Sequence, residues 1–185
     1  FLFIANFRCI SGAALGMVIQ GGLNTRSVTV KDMLYHTSIV SKACQNALVI
    51  ADMPFESYEN TELALTNAKH LVSVGADMVK IEGGREHEEI FRVLSSNDIN
   101  VCGHLGLQPQ LVIDSSDYKI QGRDKDSAES IMSEAILLES LGISVLVLEC
   151  VPSDLARNVG SKIGIPTIGI GAGNGCDGQV LVSYD

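Results

Sequence analysis

Short continuous apolar runs recur along this sequence, and stretches with helical spacing separate most of them. The runs occupy residues 47–52, 78–82, 99–104, 144–149, 165–170 and 179–183. They are too short for buried helices. They fit strands covered on both faces of a parallel sheet. Between them, Thr29 is placed to cap a helix that carries Met33, Leu34, Thr37 and Val40. A second helical stretch carries Leu63, Ala64, Ala68, Leu71 and Val72 and stops at Gly75. A third, near residues 85–95, puts Ile90, Phe91 and Leu94 on one face. A fourth has Asp126 as cap, Glu129 three residues on, and Ile131, Ala135 and Leu138 before Gly142. A fifth begins after Pro152 with Leu155, Val159 and Ile163. This βα rhythm leaves two architectures, a doubly wound sheet or a (β/α)8 barrel.

The polar residues favour the barrel. Asp52, Glu82, His104 and Glu149 each close a different apolar run. Catalytic groups gather at that edge of a barrel, from several strands at once. A doubly wound sheet concentrates its site at one switch point. Length adds a constraint. A barrel of ~250 residues uses about 31 per βα unit, so 185 residues hold roughly six units. Six strands follow Ala47, and a seventh fits before Gly12. The expectation is one barrel domain over residues 1–185, incomplete, beginning near its second strand and stopping at the end of its eighth.

Composition removes other classes. Acidic residues outnumber basic ones 22 to 13, for a net charge of −9, so no basic patch exists to neutralise nucleic-acid phosphates. No apolar run approaches the roughly 20 residues of a membrane span. Cys9, Cys44, Cys102, Cys150 and Cys176 are widely spaced, with no zinc pattern. They read as free thiols in a reducing compartment, hence a cytoplasmic protein. The opening residues 1–7 resemble half of a signal peptide without its basic segment. A buried strand, or sequence foreign to the domain, fits them better.

Lys80 and Glu82 lie two apart on one strand, so both project from the same face. Gly83-Gly84 then lets the chain turn away sharply. Asp52, Glu82 and Glu149 supply three carboxylates and no cysteine ligand, a donor set that suits Mg²⁺ better than Zn²⁺. Lys80 can hold a substrate carboxylate or enolate oxygen, and a carboxylate not bound to metal can act as a base. Together they suggest metal-assisted proton abstraction beside a carbonyl. Each residue alone has a plainer reading. A single acid at a strand end usually caps a helix or meets solvent. Lys80 and Glu82 make an ordinary ion pair, and a single histidine is usually a hydrogen-bonded rim group. The argument rests on their co-occurrence at one end of separate strands. Gly169-Ile170-Gly171-Ala172-Gly173 follows a strand, yet no clear helix follows it, so it reads as a tight turn rather than a dinucleotide loop.

Ordered motifs from Leu15 to Asp185 resemble the ketopantoate hydroxymethyltransferase family. They are Leu15-Gly16-Met17, Val28-Thr29-Val30, Tyr35-His36-Thr37, Ala51-Asp52-Met53-Pro54-Phe55 and Met78-Val79-Lys80-Ile81-Glu82-Gly83-Gly84. Cys102-Gly103-His104-Leu105-Gly106-Leu107, Tyr118-Lys119-Ile120-Gln121-Gly122-Arg123 and Leu148-Glu149-Cys150-Val151-Pro152 follow. The last are Gly169-Ile170-Gly171-Ala172-Gly173 and Asp177-Gly178-Gln179. The resemblance implies a (β/α)8 barrel assembled as a homo-oligomer, usually a decamer. It implies transfer of a one-carbon unit from 5,10-methylenetetrahydrofolate to 3-methyl-2-oxobutanoate, giving 2-dehydropantoate, in pantothenate biosynthesis. By the same match Asp52 and Glu82 are Mg²⁺ ligands, Asp52 and Lys80 contact the keto acid, His104 lies near it, and Glu149 is the proton acceptor.

The sequence departs from the family at Gly12-Ala13-Ala14, where the family reads Gly-Asp-Ser. The family's Asp is a third metal ligand and its Ser binds the keto acid. Gly22-Leu23 stands where a His-Asp or Tyr-Asp pair is common. The family's first strand and helix, and the elements after its last strand, have no counterpart. The resemblance fades upstream of Gly12. These departures support an alternative, a non-catalytic barrel remnant that has lost part of the metal site. A related Mg²⁺-enolate lyase is a third reading, against which the segments 118–123 and 169–179 argue.

Overall fold

A computed structural model describes residues 7–113 and 117–181. The opening run before Phe7 and the end of the expected last strand, residues 182–183, lie outside the described residues. Strand and helix alternate in the order β1 (Phe7–Ile10), α1 (Val30–Ala43), β2 (Leu48–Asp52), α2 (Thr61–Ser73), β3 (Met78–Glu82), α3 (Glu88–Ser96) and β4 (Val101–Gly106). They continue with α4 (Lys125–Ser140), β5 (Val145–Glu149), α5 (Ser153–Lys162), β6 (Thr167–Ile170) and β7 (Gly178–Gln179).

Among the described residues every pairing between these strands is parallel, and the spatial order of the strands is their sequence order, β1 to β7. A doubly wound sheet reverses its order at a switch point. This sheet does not. When every right-handed crossover steps in the same direction, the helices collect on one face. Accordingly α1 packs on α2, α2 on α3, and α4 on α5.

The two faces of the sheet bury different sets. Toward the helices, Val49, Ala51, Val79, Ile81, Val101, Leu105, Leu146 and Leu148 join Met33, Ala68, Leu71, Phe91, Leu94 and Leu138 in the main core. On the other face, Ile50, Met78, Cys102, Val145, Val147 and Ile168 form a second cluster. Burial on both faces is why the runs are continuous rather than alternating.

Helix starts follow local chemistry. The Thr29 side chain accepts from the Asp32 N–H, and the Asp32 carboxylate accepts from the Thr29 N–H, a reciprocal box. Asn60 caps α2 by accepting from the Leu63 N–H. The expected cap of α4 is corrected. Asp124, not Asp126, holds the extended cap conformation and accepts from the Ser127 N–H at 2.9 Å. Glu129 lies 3.8 Å from Lys125 one turn back, so it does not close a box. A π-helical stretch, Ala14–Ile19, has no side-chain cap and interrupts the rhythm between β1 and α1. After β6, Gly171 and Gly173 take positive φ and no helix follows before β7, as the tight-turn reading expected.

Candidate active site

Register assembles the polar residues. Asp52, Lys80 and Cys102 are level across β2, β3 and β4. Glu82 and His104 are level one step further on, and Glu149 is level with Gly106. Each lies an even number of residues from an inner-face apolar residue: Asp52 from Ile50, Lys80 and Glu82 from Met78, His104 from Cys102, and Glu149 from Val147. All five therefore project from the face away from the helices, at the carboxyl end of the sheet.

Lys80 Nζ is 3.0 Å from Asp52 Oδ1, 3.5 Å from Glu82 Oε1 and 3.4 Å from His104 Nδ1. An ammonium can only donate, so beside it Nδ1 accepts and the neutral ring carries its proton on Nε2. Nε2 is 3.2 Å from Glu149 Oε2 but makes no well-directed hydrogen bond. The result is a continuous polar line from Asp52 and Glu82 through Lys80 and His104 to Glu149. The Asp52 and Glu82 side chains are 4% exposed, whereas Glu149 is 13% exposed, which makes Glu149 the acid most accessible to a ligand.

Burial alone would depress the Lys80 ammonium, but Asp52 and Glu82 beside it hold its pKa well above the ordinary lysine range. Each carboxylate has its second oxygen fixed by a backbone amide. Gly12 N–H donates to Asp52 Oδ2 at 3.0 Å, and Gln110 N–H to Glu82 Oε2 at 2.9 Å. Glycines shape the rim. Gly83 turns the chain out of β3 at φ +112°, and its N–H donates to the His104 carbonyl. At Gly106, φ is +95° and a Cβ would collide with the Glu149 carbonyl oxygen, to which Leu107 N–H donates.

Asp52 and Glu82 also bear on metal binding. Among the described residues no group of three or more His, Cys, Asp or Glu side chains is arranged to hold a metal. Mg²⁺ is commonly held by one or two carboxylates, with water and substrate oxygens completing its shell. Asp52 and Glu82 fit that mode. Three carboxylates (Asp52, Glu82, Glu149) against one ammonium leave two negative charges when His104 is neutral, which a divalent cation balances.

Cys102 lies on β4 level with Lys80 and is fully buried. Burial pushes its thiol up to about 12, with Lys80 opposing and Asp52 adding. A thiol raised in the folded state stabilises it below the unfolded value of about 8.5 and loses that contribution as the pH climbs toward the folded value. Unfolding measurements from pH 8 to 10 are expected to show Cys102→Ala with a flatter decline than the parent, by about 1.4 kcal/mol per pH unit at most. Equal slopes would refute the assignment.

Gly12, Gln110 and Tyr58 were not anticipated from the sequence as part of this site. Gly12 and Gln110 act through backbone amides, which carry no residue signature. Tyr58 lies on the loop after β2, and its hydroxyl donates to Gln110 Oε1 at 2.9 Å. The one sequence signal for Gln110 is that the stretch of residues 108–125 reads as a long polar loop, and long loops in compact domains are often functional; Gln110 lies near its start.

The backbone architecture is shared with solved structures. A 2,3-dimethylmalate lyase, described as a member of the PEP mutase/isocitrate lyase superfamily, superposes with TM-score 0.64 at 17% identity, covering 87% of this chain and 57% of that one. A phosphoenolpyruvate phosphomutase from Streptomyces platensis subsp. rosaceus gives TM-score 0.70 at 12% identity, covering 97% of this chain and 69% of that one. At such identities the likeness defines a class by fold alone: an α/β protein with a sequentially ordered parallel sheet.

The family follows from sequence. The ketopantoate hydroxymethyltransferase profile matches residues 8–185, and the chain belongs to that family. The 3-methyl-2-oxobutanoate hydroxymethyltransferase of Ruthia magnifica subsp. Calyptogena magnifica is 60% identical over 174 residues, 94% of this chain and 67% of that protein. The chain thus spans about two thirds of the length of the curated relatives it matches.

Proposed function

We propose that this chain carries the chemistry of its family: transfer of a hydroxymethyl group from 5,10-methylenetetrahydrofolate to 3-methyl-2-oxobutanoate, forming 2-dehydropantoate. The observation that carries the reading is the buried Asp52–Lys80–Glu82 group, continued through His104 to Glu149 at one end of the sheet. In this reading the sheet is the greater part of a (β/α)8 barrel, and the polar line lies at its mouth. Assembly as a homo-oligomer, a decamer in the family, and a cytoplasmic location belong to the same proposal. No described helix is long and apolar enough to cross a membrane.

Asp52 and Glu82 would hold Mg²⁺. When bound, that ion supplies charge stabilisation for the oxygen that becomes negative as a 2-oxo acid loses its C3 proton. Lys80 and Asp52 hold the keto acid, and His104 borders it. Glu149 takes the C3 proton onto a carboxylate oxygen. His104 Nε2–H faces that carboxylate and can steady it in either protonation state. Water cleaves both C–N bonds of the folate's methylene bridge, the nitrogens taking up its two protons, so that tetrahydrofolate leaves and the carbon is presented as formaldehyde. The C3 electron pair then adds to that carbon, and the resulting alkoxide takes a proton to complete the hydroxymethyl group.

The direct test is exchange of the C3 proton of 3-methyl-2-oxobutanoate in D₂O, followed by NMR with and without Mg²⁺. The proposal expects exchange that needs both the chain and Mg²⁺. A rate equal to buffer alone would refute it.

Ala13 and Ala14 favour a second reading, a barrel remnant that no longer turns over. Ala13 directly follows Gly12, whose amide holds Asp52, so the missing family carboxylate falls beside this site. Calorimetric titration separates the two: Mg²⁺-dependent binding of the keto acid counts against an inert remnant.

A further inference from the structure

We infer that Gln110 is a positioning residue for the Glu82 carboxylate, acting with Tyr58; the inference rests on the reading of Glu82 as a Mg²⁺ ligand. Gln110 joins three elements from one buried place. Its backbone N–H donates to Glu82 Oε2 at 2.9 Å. Its side-chain Nε2 donates to the Met53 carbonyl at 2.9 Å, just past the end of β2. Its Oε1 accepts from the Tyr58 hydroxyl at 2.9 Å. That hydroxyl also lies 3.4 Å from the Glu82 carbonyl oxygen.

Gln110 is 5% exposed, and both ends of its side-chain amide have named partners. The amide has one low-energy orientation, because turning it sets its oxygen against the Met53 carbonyl oxygen, two acceptors with no proton between them. The amide therefore fixes the loop after β4 against β2. The backbone N–H of the same residue sets which Glu82 oxygen faces Lys80. The Gln110 carbonyl is held in turn by Arg26 Nε at 3.1 Å, and the Arg26 guanidinium stacks 4.2 Å over the Phe55 ring. The loops after β1, β2 and β4 and the end of β3 thus meet at one residue. Its effect on chemistry passes through Glu82.

Gln110→Met keeps the volume and removes both side-chain hydrogen bonds. Tyr58→Phe removes one of them from the other side. Mg²⁺ affinity, read by titration calorimetry, is expected to fall about tenfold in Gln110→Met, the lower end of what lost supporting contacts cost a metal site. Tyr58→Phe is expected to lose less, and the double variant less than the product of the two, because both act on one amide. Thermal unfolding on the same samples identifies a folded variant, and Gln110→Glu, which keeps the acceptor for Tyr58, is expected to regain part of the loss. Unchanged Mg²⁺ affinity in folded Gln110→Met and Tyr58→Phe would overturn the positioning role while Glu82→Gln still abolishes binding. Parent-like Mg²⁺ binding by Glu82→Gln would instead overturn the metal role of Glu82, and the positioning role with it.

Discussion

Glu149→Gln is expected to slow C3 proton exchange of 3-methyl-2-oxobutanoate by about 10²–10⁴-fold, the usual worth of a positioned general base. The substitution keeps the shape and removes the basic electron pair. Its surroundings favour a clean readout. Glu149 is the least buried of the three acids, and its neighbour across the site is His104 Nε2 at 3.2 Å. An amide there still meets the ring, so the fold is expected to hold and keto-acid binding to change little. Rates of deuterium incorporation, compared at saturating Mg²⁺ and keto acid, isolate the proton step from the folate step. Exchange in Glu149→Gln equal to the parent would remove Glu149 from the base role.

The largest effect on stability is expected at Lys80. Its ammonium lies within 3.5 Å of both Asp52 and Glu82, and all three side chains are more than nine-tenths buried. Removing one partner leaves buried charge without compensation, which costs about 3–5 kcal/mol. The whole stability of a domain is only about 5–15 kcal/mol, so Lys80→Met approaches complete unfolding. Denaturant titration measures it. Lys80→Met/Asp52→Asn is expected to recover part of the loss by removing a carboxylate charge as well. The folded pKa of Lys80 is raised, so the ammonium stabilises fully below the unfolded value of about 10.4. That contribution fades as pH rises through the higher folded value, and the gap between parent and variant closes with it. A loss no larger than that of Lys125→Met, at a side chain 85% exposed, would contradict the account.

The strands were legible because a parallel sheet buries both faces and writes itself as unbroken apolar runs. The run 78–82 coincides with β3, and the others overlap their strands to within a few residues. Residues 180–181 of the last apolar run fall just past β7, Gly178–Gln179, its residues 182–183 lie outside the described residues, and the sequence places the cap of α4 two residues late. Both misreadings fall at element ends, where several polar residues can satisfy the same backbone groups. The π-helical stretch left no apolar signature at all.

Sequence by itself determined the alternation of strand and helix, and it placed Asp52, Glu82, His104 and Glu149 at the ends of apolar runs with Lys80 two residues before Glu82, because side-chain period and burial are local properties. Only the tertiary structure decided that Lys80 Nζ faces Asp52, Glu82 and His104 together, since that depends on the register between β2, β3 and β4. It alone brought the Gly12 and Gln110 amides to the two buried carboxylates, and Tyr58 to the Gln110 side chain. Backbone amides are the same in every residue but proline, so which of them meets a carboxylate is decided by where the chain passes and not by the letters it is written in.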